Sequence, residues 1–275
     1  MELGKVGVWM PARFGAAAAH EIEALGYGTL WLGGSPSVED AVPFLEATER
    51  MTIATGILNV WQHEPADVAA ARAEVAHQHP GRFLLGVGIG HPEATSDYTR
   101  PLTTMRKFCD GLASAPKPVP KDELVLAALG PKMLDLSKER SLGTHPYFTT
   151  ADHTRFARER LGPQALVAPE VAVVVDENLD TARATARDYA KLYLGLKNYT
   201  QNLLNFGFTE DDIANGGSDR LIDAVIPHGT PEAIAKQVQE HFDAGADHVC
   251  VQPLGHSSPP VDDLAKLAPA LLGSA

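Results

Sequence analysis

The stretch that decides the fold spans residues 26–60 and reads GYGTLWLGGSPSVEDAVPFLEATERMTIATGILNV. Its apolar segment over residues 29–32 is typical of a buried β-strand, and Ser37 with an acidic residue three positions later is typical of a helix N-terminal capping box. The helix predicted over residues 38–50 leads directly into a β-rich run over residues 51–60. Strand, helix and strand in this order indicate a parallel sheet with crossover helices.

The same alternation extends along the chain in both directions. Strands are predicted at residues 4–10, 29–32, 51–60, 82–88, 124–128, near 145–147, at 170–175 and at 248–252. Helices are predicted at residues 13–25, 38–50, 66–77, 102–112, 131–140, 151–161 and 264–272. Eight such units in 275 residues predict one α/β domain over residues 1–275, a closed (β/α)8 TIM barrel. An open doubly wound sheet is the alternative.

One interval departs from this rhythm. Between Val175 and His248 no segment is typical of a strand, and helices are predicted at residues 180–204, 210–213 and 231–244. We therefore expect a helical insertion over about residues 177–245, between strands 7 and 8. The proline-rich run over residues 115–120 is short and is followed by the same alternation, so it is interpreted as a stiff connection within the domain.

Composition narrows the class of function. The chain is 44% hydrophobic and 21% charged, which is typical of a folded soluble protein, and its formal net charge is −12. An acidic surface disfavours nucleic acid and anionic membranes as partners. Cys109 and Cys250 form no paired motif, and neither a signal peptide nor an apolar run of about 18 residues is present, so a cytoplasmic protein is expected.

Several chemistries lack their sequence signatures. The chain contains no Walker A, HExxH or GxSxG motif and no catalytic Cys/His signature. His77 and His79 have no third metal ligand at a useful spacing, so no metal site is expected.

Candidate site residues follow from the barrel, because chemistry in this fold lies at the C-terminal ends of the strands. Gly56 interrupts a β-branched strand, and the polar Asn59 follows it. Glycine within a strand marks a bulge or a close backbone approach, although a packing role is the alternative.

A second strand end carries three alternating glycines, of which Gly88 and Gly90 are nearest the loop. They favour contact between a ligand and the backbone, with tight packing as the alternative. The spacing is GxGxG, which differs from the dinucleotide-binding GxGxxG. His91 follows in the sequence. Its predicted roles are a base or a hydrogen-bond donor, and the alternative is a solvated loop residue.

Two further strand ends carry candidates. Ala128, Leu129 and Gly130 lead into a helix N-terminus, where free N–H groups suit a phosphate, with small-residue packing as the alternative. His145 and Tyr147 bring an imidazole and a phenol to one rim, either to contact a ligand or as satisfied rim residues.

Several of these segments, taken in order, resemble the luciferase-like monooxygenase superfamily, and within it the coenzyme F420-dependent oxidoreductases of actinobacterial type. The segments are GYGTLWLGG (26–34), ATGILNVW (54–61), GRFLLGVG (81–88), LAALGP (126–131), HPY (145–147) and GADHVCVQ (245–252). The resemblance implies a tricyclic ring across the barrel mouth, against a cis peptide bond between Gly56 and Ile57. It places Asn59 near the ring or substrate, and His91 and Tyr147 as further cofactor contacts. The residues that it implies along the cofactor tail are Gly88, Gly90, Ala128, Leu129 and Gly130.

The chain departs from better-known members at two strand ends. Where many deazaflavin dehydrogenases have an acid–histidine pair and a carboxylate, it has Gly33-Gly34-Ser35 and Gly90-His91-Pro92. The usual proton donor is therefore missing, and His91 or His145 is the candidate replacement.

The resulting hypothesis is an F420-dependent oxidoreductase that transfers hydride between the deazaflavin C5 and a small organic substrate, with a homodimer expected. One alternative is an FMN-dependent luciferase-like monooxygenase. The other is a flavin- or deazaflavin-binding barrel without turnover.

Overall fold

The computed structural model of the chain describes residues 1–94 and 98–273. Its strands are β1 (Val6–Pro11), β2 (Thr29–Gly33), β3 (Thr52–Thr55), β4 (Leu58–Asn59), β5 (Phe83–Gly88), β6 (Leu124–Leu126), β7 (Gly143–Thr144), β8 (Leu166–Val167), β9 (Glu170–Val173) and β10 (Val249–Pro253). Its α-helices are α1 (Ala19–Ala24), α2 (Val42–Glu46), α3 (Pro65–Gln78), α4 (Pro101–Ser114), α5 (Pro131–Arg140), α6 (Ala151–Leu161), α7 (Leu179–Leu194), α8 (Lys197–Asn205), α9 (Glu210–Ile213), α10 (Asp219–Val225), α11 (Pro231–Asp243) and α12 (Val261–Leu272).

All strand pairs are parallel, in the order β8-β7-β6-β5-β3-β2-β1-β10-β9, with β4 paired to β5. The sheet closes because β8 and β9 are two halves of one strand. Ala168 between them donates its N–H to the carbonyl of Thr144 in β7, and the N–H of Cys250 in β10 donates to the carbonyl of Pro169. β3 and β4 likewise share one strand position on either side of Gly56. The predicted parallel barrel is thus confirmed.

The barrel interior is filled by inward-facing side chains from seven of the eight strand positions, and β7 contributes none to this cluster. These residues form a compact cluster: Trp9, Trp31, Ala54, Leu84, Val125, Ala168 and Cys250. The alternate residues of the same strands, such as Val8 and Leu30, pack outward into the layer of helices. This alternation is the period of two that a strand imposes on its side chains, and it leaves only the mouth of the barrel open to a ligand.

Two early helices are shorter than predicted. The segment predicted as helix over residues 13–25 contains two 3-10 turns before α1, because Gly15 between them has a φ of 75°. The predicted capping box is present, with the Ser37 N–H 2.8 Å from a carboxylate oxygen of Asp40. However, α2 ends at Glu46, and the N–H groups of residues 49–51 donate to the carboxylate of Glu23 instead of continuing the helix.

The region between β9 and β10 is helical. Here α7, α8 and α10 surround a separate apolar cluster that includes Phe148, Leu203 and Ile222. By contrast, α11 packs against α6 and α12 in the ring of helices around the barrel. Helix α10 was absent from the sequence prediction, although Ser218 caps it by accepting the N–H of Leu221. Among the described residues, no helix combines the length and apolarity needed to cross a membrane.

Candidate functional site

A cleft of about 690 Å³ opens at the C-terminal ends of the strands. Every site residue predicted from the sequence lies in its wall: Gly56, Ile57, Asn59, Gly88, Gly90, His91, Ala128, Leu129, Gly130, His145 and Tyr147. They come from β3 to β7 and the loops that follow those strands, so the parallel topology gathers residues that are far apart in the chain.

The cleft floor is built around the peptide bond between Gly56 and Ile57, which is cis, as the resemblance implied. The indole N–H of Trp9 donates to the carbonyl of Gly56 over 2.9 Å. On the next strand Gly88 faces the Ile57 side chain, and a Cβ at Gly88 would lie 2.5 Å from its terminal methyl. A larger residue at position 88 would therefore displace Ile57 from the floor.

His145 lies at the bottom of the cleft and is 1% exposed. Its ring stacks on Trp31 with centroids 4.1 Å apart, and its Nδ1 lies 2.8 Å from the carbonyl of Ala168. Because a carbonyl only accepts, Nδ1 carries the proton. Burial lowers the pKa of His145 to about 4, so the ring is neutral at physiological pH. Its buried Nε2 is then an acceptor with no partner among the described residues.

His91 also lines the cleft and is half-buried. Its Nδ1 lies 3.2 Å from the amide oxygen of Asn198 on α8, and its ring packs 5.2 Å from that of Tyr199. Burial lowers the pKa of His91 below 6.5, and the hydrogen bond to Asn198 opposes this effect. This coupling to α8 was absent from the sequence analysis.

A cluster of phenols closes the side of the cleft nearest β10. Tyr147 donates its O–H to the amide oxygen of Gln252 over 2.6 Å and accepts from Tyr189 over 2.6 Å. Tyr193 adds a longer contact of 3.3 Å to Tyr147. Burial raises the pKa of Tyr147 well above 10, so these phenols are neutral donors. The sequence analysis did not find Tyr189 or Tyr193, because both lie on α7.

Helix α8 supplies a row of amide side chains to the cleft wall. The lining residues are Asn198, Gln201, Asn202 and Asn205. Their spacing of about one helical turn places them along one side of α8. Four amides in a nine-residue helix were a visible signal in the sequence, but nothing in the local pattern indicated that this helix returns over the barrel mouth.

The remaining wall is the start of α5. Gly130 is the N-cap residue, Pro131 occupies the first turn, and no side chain among the described residues caps the helix. A Cβ at Gly130 would meet nothing within 4 Å, so the backbone here is open to the cleft. Behind it, Nε2 of His153 lies 3.0 Å from the carbonyl of Leu129 and holds the loop.

The cleft contains almost no charge. Of the described residues that line it, none is acidic and Arg13 is the single Arg or Lys. Within residues 1–94 and 98–273, no three metal-ligating side chains are placed to hold an ion. The chemistry of this site therefore depends on neutral hydrogen-bonding groups and on whatever ligand the cleft binds.

Comparison with known proteins identifies the family to which this chain belongs. A family model described as luciferase-like monooxygenase matches residues 4–108 and 97–248. The 4-hydroxyprotoasukamycin monooxygenase of Streptomyces nodosus subsp. asukaensis is 32% identical over 81 residues, a match that covers 26% of this chain and only 22% of that relative.

Two solved structures share the fold over nearly the whole chain. An F420-dependent secondary alcohol dehydrogenase, solved with an F420–acetone adduct, superposes with a TM-score of 0.75 at 17% identity and covers 98% of this chain and 99% of its own. The FMN-bound oxygenating constituent of 3,6-diketocamphane monooxygenase from Pseudomonas putida superposes with a TM-score of 0.71 at 13% identity, covering 97% and 96%. The extent of the family match shows that the chain belongs to the luciferase-like monooxygenase family.

Proposed function

We propose that the protein is an oxidoreductase that binds coenzyme F420 in the cleft and reduces or oxidises a small organic substrate. When bound, F420 supplies or accepts a hydride at its C5 carbon. The observation that carries this proposal is the unpartnered Nε2 of His145 at the cleft floor.

A buried acceptor without a partner costs about 1–3 kcal/mol. Flavins and deazaflavins both carry an N–H group in their pyrimidine ring, and such a group is the partner that Nε2 of His145 lacks. The ring face would then lie against Gly56 and Ile57. We therefore assign His145 to cofactor binding and not to proton donation, since its one ring proton is on Nδ1 and is donated to the carbonyl of Ala168.

Backbone groups are suited to hold the anionic tail. With a net charge of −12 the protein offers no long-range attraction for a phosphate, so the binding groups must be local. Gly130 and the half-buried Gly90 leave the main chain accessible, whereas Gly88 lines the cleft beneath Ile57. The N-terminus of α5 directs N–H groups and a partial positive charge at the wall that contains Gly130.

The amide row on α8 favours F420 over FMN. FMN ends at its phosphate, whereas the tail of F420 continues into glutamate. The side chains of Asn198, Gln201, Asn202 and Asn205 offer donors and acceptors to such an extended polar chain. A cofactor that ended at the phosphate would leave this row without a ligand.

The proton that accompanies hydride transfer is assigned to His91. Its ring is half-buried and lines the cleft, so it contacts a substrate and also exchanges protons with solvent. Asn198 holds it through Nδ1, which leaves Nε2 to donate when the ring is protonated.

The role of His145 is tested with 8-hydroxy-5-deazariboflavin and its analogue methylated on the pyrimidine N–H. In the wild-type protein, methylation should weaken binding about tenfold, as followed by deazaflavin fluorescence. In His145→Leu, both ligands should bind with the same reduced affinity. Equal costs of methylation in the two proteins would show that His145 does not accept this hydrogen bond.

The second candidate is an FMN-dependent monooxygenase, which the name of the Streptomyces relative and the FMN-bound neighbour favour. Deazaflavins react poorly with oxygen, so oxygen consumption by the protein with reduced FMN separates the two. Tight cofactor binding without substrate-dependent reoxidation would instead support a carrier.

We further propose that residues 1–275 unfold as one domain, with the helices of residues 177–245 as an insertion, and that the protein is a cytoplasmic homodimer. A single unfolding transition and a dimer mass by light scattering are the expected results. Two transitions, or a monomer, would contradict these assignments.

A further inference from the structure

A second cavity of about 340 Å³ lies beside the main cleft, between β1, α7 and the segment after β10. The two cavities share Trp9, Tyr147 and Tyr193 in their common wall. A ligand in the second cavity would therefore adjoin a ring bound in the main cleft.

The second cavity has an uncompensated positive charge. Arg13, in the turn after β1, borders both cavities and makes no ion pair with another described residue. The chain carries 35 Asp and Glu residues, yet none of the described residues lining either cavity is acidic. His256 also lines the second cavity, but its Nε2 lies 2.9 Å from the carboxylate of Asp263.

Gln252 adds a fixed neutral donor to the same cavity. Tyr147 donates to its amide oxygen over 2.6 Å, and the hydroxyl oxygen of Tyr189, which donates to Tyr147, lies 3.1 Å from the same amide oxygen. The amide nitrogen has no hydrogen-bond partner among the described residues, although Gln252 is only 9% exposed. Arg13 and Gln252 thus provide N–H groups that suit an oxyanion.

The topology separates this group from the site proposed for the cofactor tail. Arg13 follows β1, whereas the open start of α5 follows β6. In the closed order of strands, β1 and β6 lie on opposite sides of the barrel. A cofactor whose tail lies at α5 therefore presents its ring, and not its phosphate, towards Arg13.

We propose that the second cavity binds the carboxylate of a small organic substrate, with the Arg13 guanidinium and the Gln252 amide nitrogen as its donors. The aromatic wall of Trp9 and Tyr147 would contact the apolar part of that substrate. The role of this anion as a substrate rests on the proposed function, but its binding does not.

Hexanoate and hexanamide are the probes, because they share a shape and differ in charge. Binding to the full-length protein is measured by calorimetry at low salt, where charge interactions are least screened. The wild type should bind hexanoate at least about tenfold more tightly than hexanamide. Arg13→Met and Gln252→Glu should each bring this ratio close to one. Arg155→Met, which removes an exposed arginine paired with Asp152, should leave the ratio unchanged.

Equal binding of the two probes to the wild type, or a preference that survives in Arg13→Met, would overturn the inference. F420 titration provides the second arm. If Arg13→Met weakens F420 binding and leaves the hexanoate preference intact, Arg13 belongs to the cofactor tail and the inference is wrong. If neither F420 nor FMN binds but the preference depends on Arg13, the anion site stands and the proposed function fails.

Discussion

Two buried glutamates at the two ends of the barrel have opposite surroundings. Glu23 lies at the closed end and is 8% exposed. The N–H groups of Glu49, Arg50 and Met51 donate to its carboxylate over 2.7 to 3.2 Å. Burial acts to raise the pKa of Glu23, but these N–H groups outweigh it and the net shift is downward.

Glu170 lies towards the open end, behind the phenol cluster, and is 1% exposed. One oxygen accepts a long contact of 3.4 Å from the N–H of Phe148, and the other has no partner among the described residues. Burial raises the pKa of Glu170 to about 8. The N–H of Glu170 donates to the carbonyl of Pro146, which follows His145 in the chain, and Nε2 of His145 is likewise unpartnered among the described residues.

The contrast shows that the two ends of the barrel have different roles. At the closed end a buried charge is satisfied by backbone and ties α1 to the start of β3, which stabilises the barrel. At the open end buried polar atoms lack partners, which costs stability and leaves groups available to a ligand. Changes at the closed end should therefore affect folding, and changes to the open-end residues that line the cleft should affect binding and turnover.

The largest effect is expected for Gly56→Val at the open end. A Cβ at this position would lie 3.1 Å from the indole nitrogen of Trp9 and 3.3 Å from Cβ of Trp31, so the branched side chain must displace the cleft floor. We expect cofactor affinity to fall about a hundredfold in fluorescence titrations. Ala24→Val, at an exposed position of α1, is the control, and unchanged affinity in Gly56→Val would refute the floor assignment.

Glu23→Ala tests the closed end. Removal of the carboxylate leaves the N–H groups of residues 49–51, of which that of Met51 is buried, without their acceptor. We expect the free energy of unfolding to fall by about 2–3 kcal/mol in urea titrations. Because the folded pKa of Glu23 is lowered, this contribution is present above the unfolded pKa and is lost as the pH falls through the folded value.

The matched control is Glu21→Ala, an exposed position on the same helix, where the change should stay within about 0.5 kcal/mol. Cofactor affinity should be unchanged in both variants under conditions where they are folded. A specific loss of affinity in Glu23→Ala would break the distinction between the two ends.

His91→Asn should reduce turnover about tenfold with little effect on stability, because water replaces a positioned proton donor. The protonated ring is the active form, so the wild-type rate should decline as the pH rises through the pKa of His91, which lies below 6.5. This dependence should vanish in the variant, and an unaltered rate in His91→Asn would show that His91 is not the proton donor.

Asn198→Ala removes the hydrogen bond that raises the pKa of His91, so the decline in rate should move to lower pH in this variant.

The smallest effect concerns Glu170→Gln. A group whose folded pKa is raised stabilises fully below its unfolded pKa, near 4.5, and this contribution is lost as the pH rises towards about 8. Between pH 6 and pH 7 the wild type should lose about 1 kcal/mol of unfolding free energy that the variant retains. Identical slopes in the two proteins would show that Glu170 is not held protonated.

Much of the fold was predictable from local pattern. Helix α5 has the predicted bounds, because its proline at the start and its basic last turn are both local signals. The first half of strand 7, β8, was missed because it is two residues long and is followed by a proline. The start of α1 depends on the nearby Gly15. The end of α2 depends on the carboxylate of Glu23, which is distant in the chain, and a local sequence pattern does not contain this contact.

The site was predictable where it lies on strand ends. Gly56, Gly88 and His145 follow from the rule that barrels place chemistry there. The contributions of α7 and α8, including Tyr193 and Asn198, were missed because they depend on helices that return over the barrel mouth. The neutral state of His145 likewise depends on Ala168, which only the closed sheet brings to it.

The most direct test of the account is a fluorescence titration of the purified protein with F420 and, separately, with FMN. In the proposed function, the cleft floor contacts the ring of either cofactor, and the amide row of α8 contacts the longer tail of F420. We expect F420 to bind at least about tenfold more tightly than FMN, and His145→Leu to weaken both. Preferential binding of FMN, or failure of both cofactors to bind, would contradict the account.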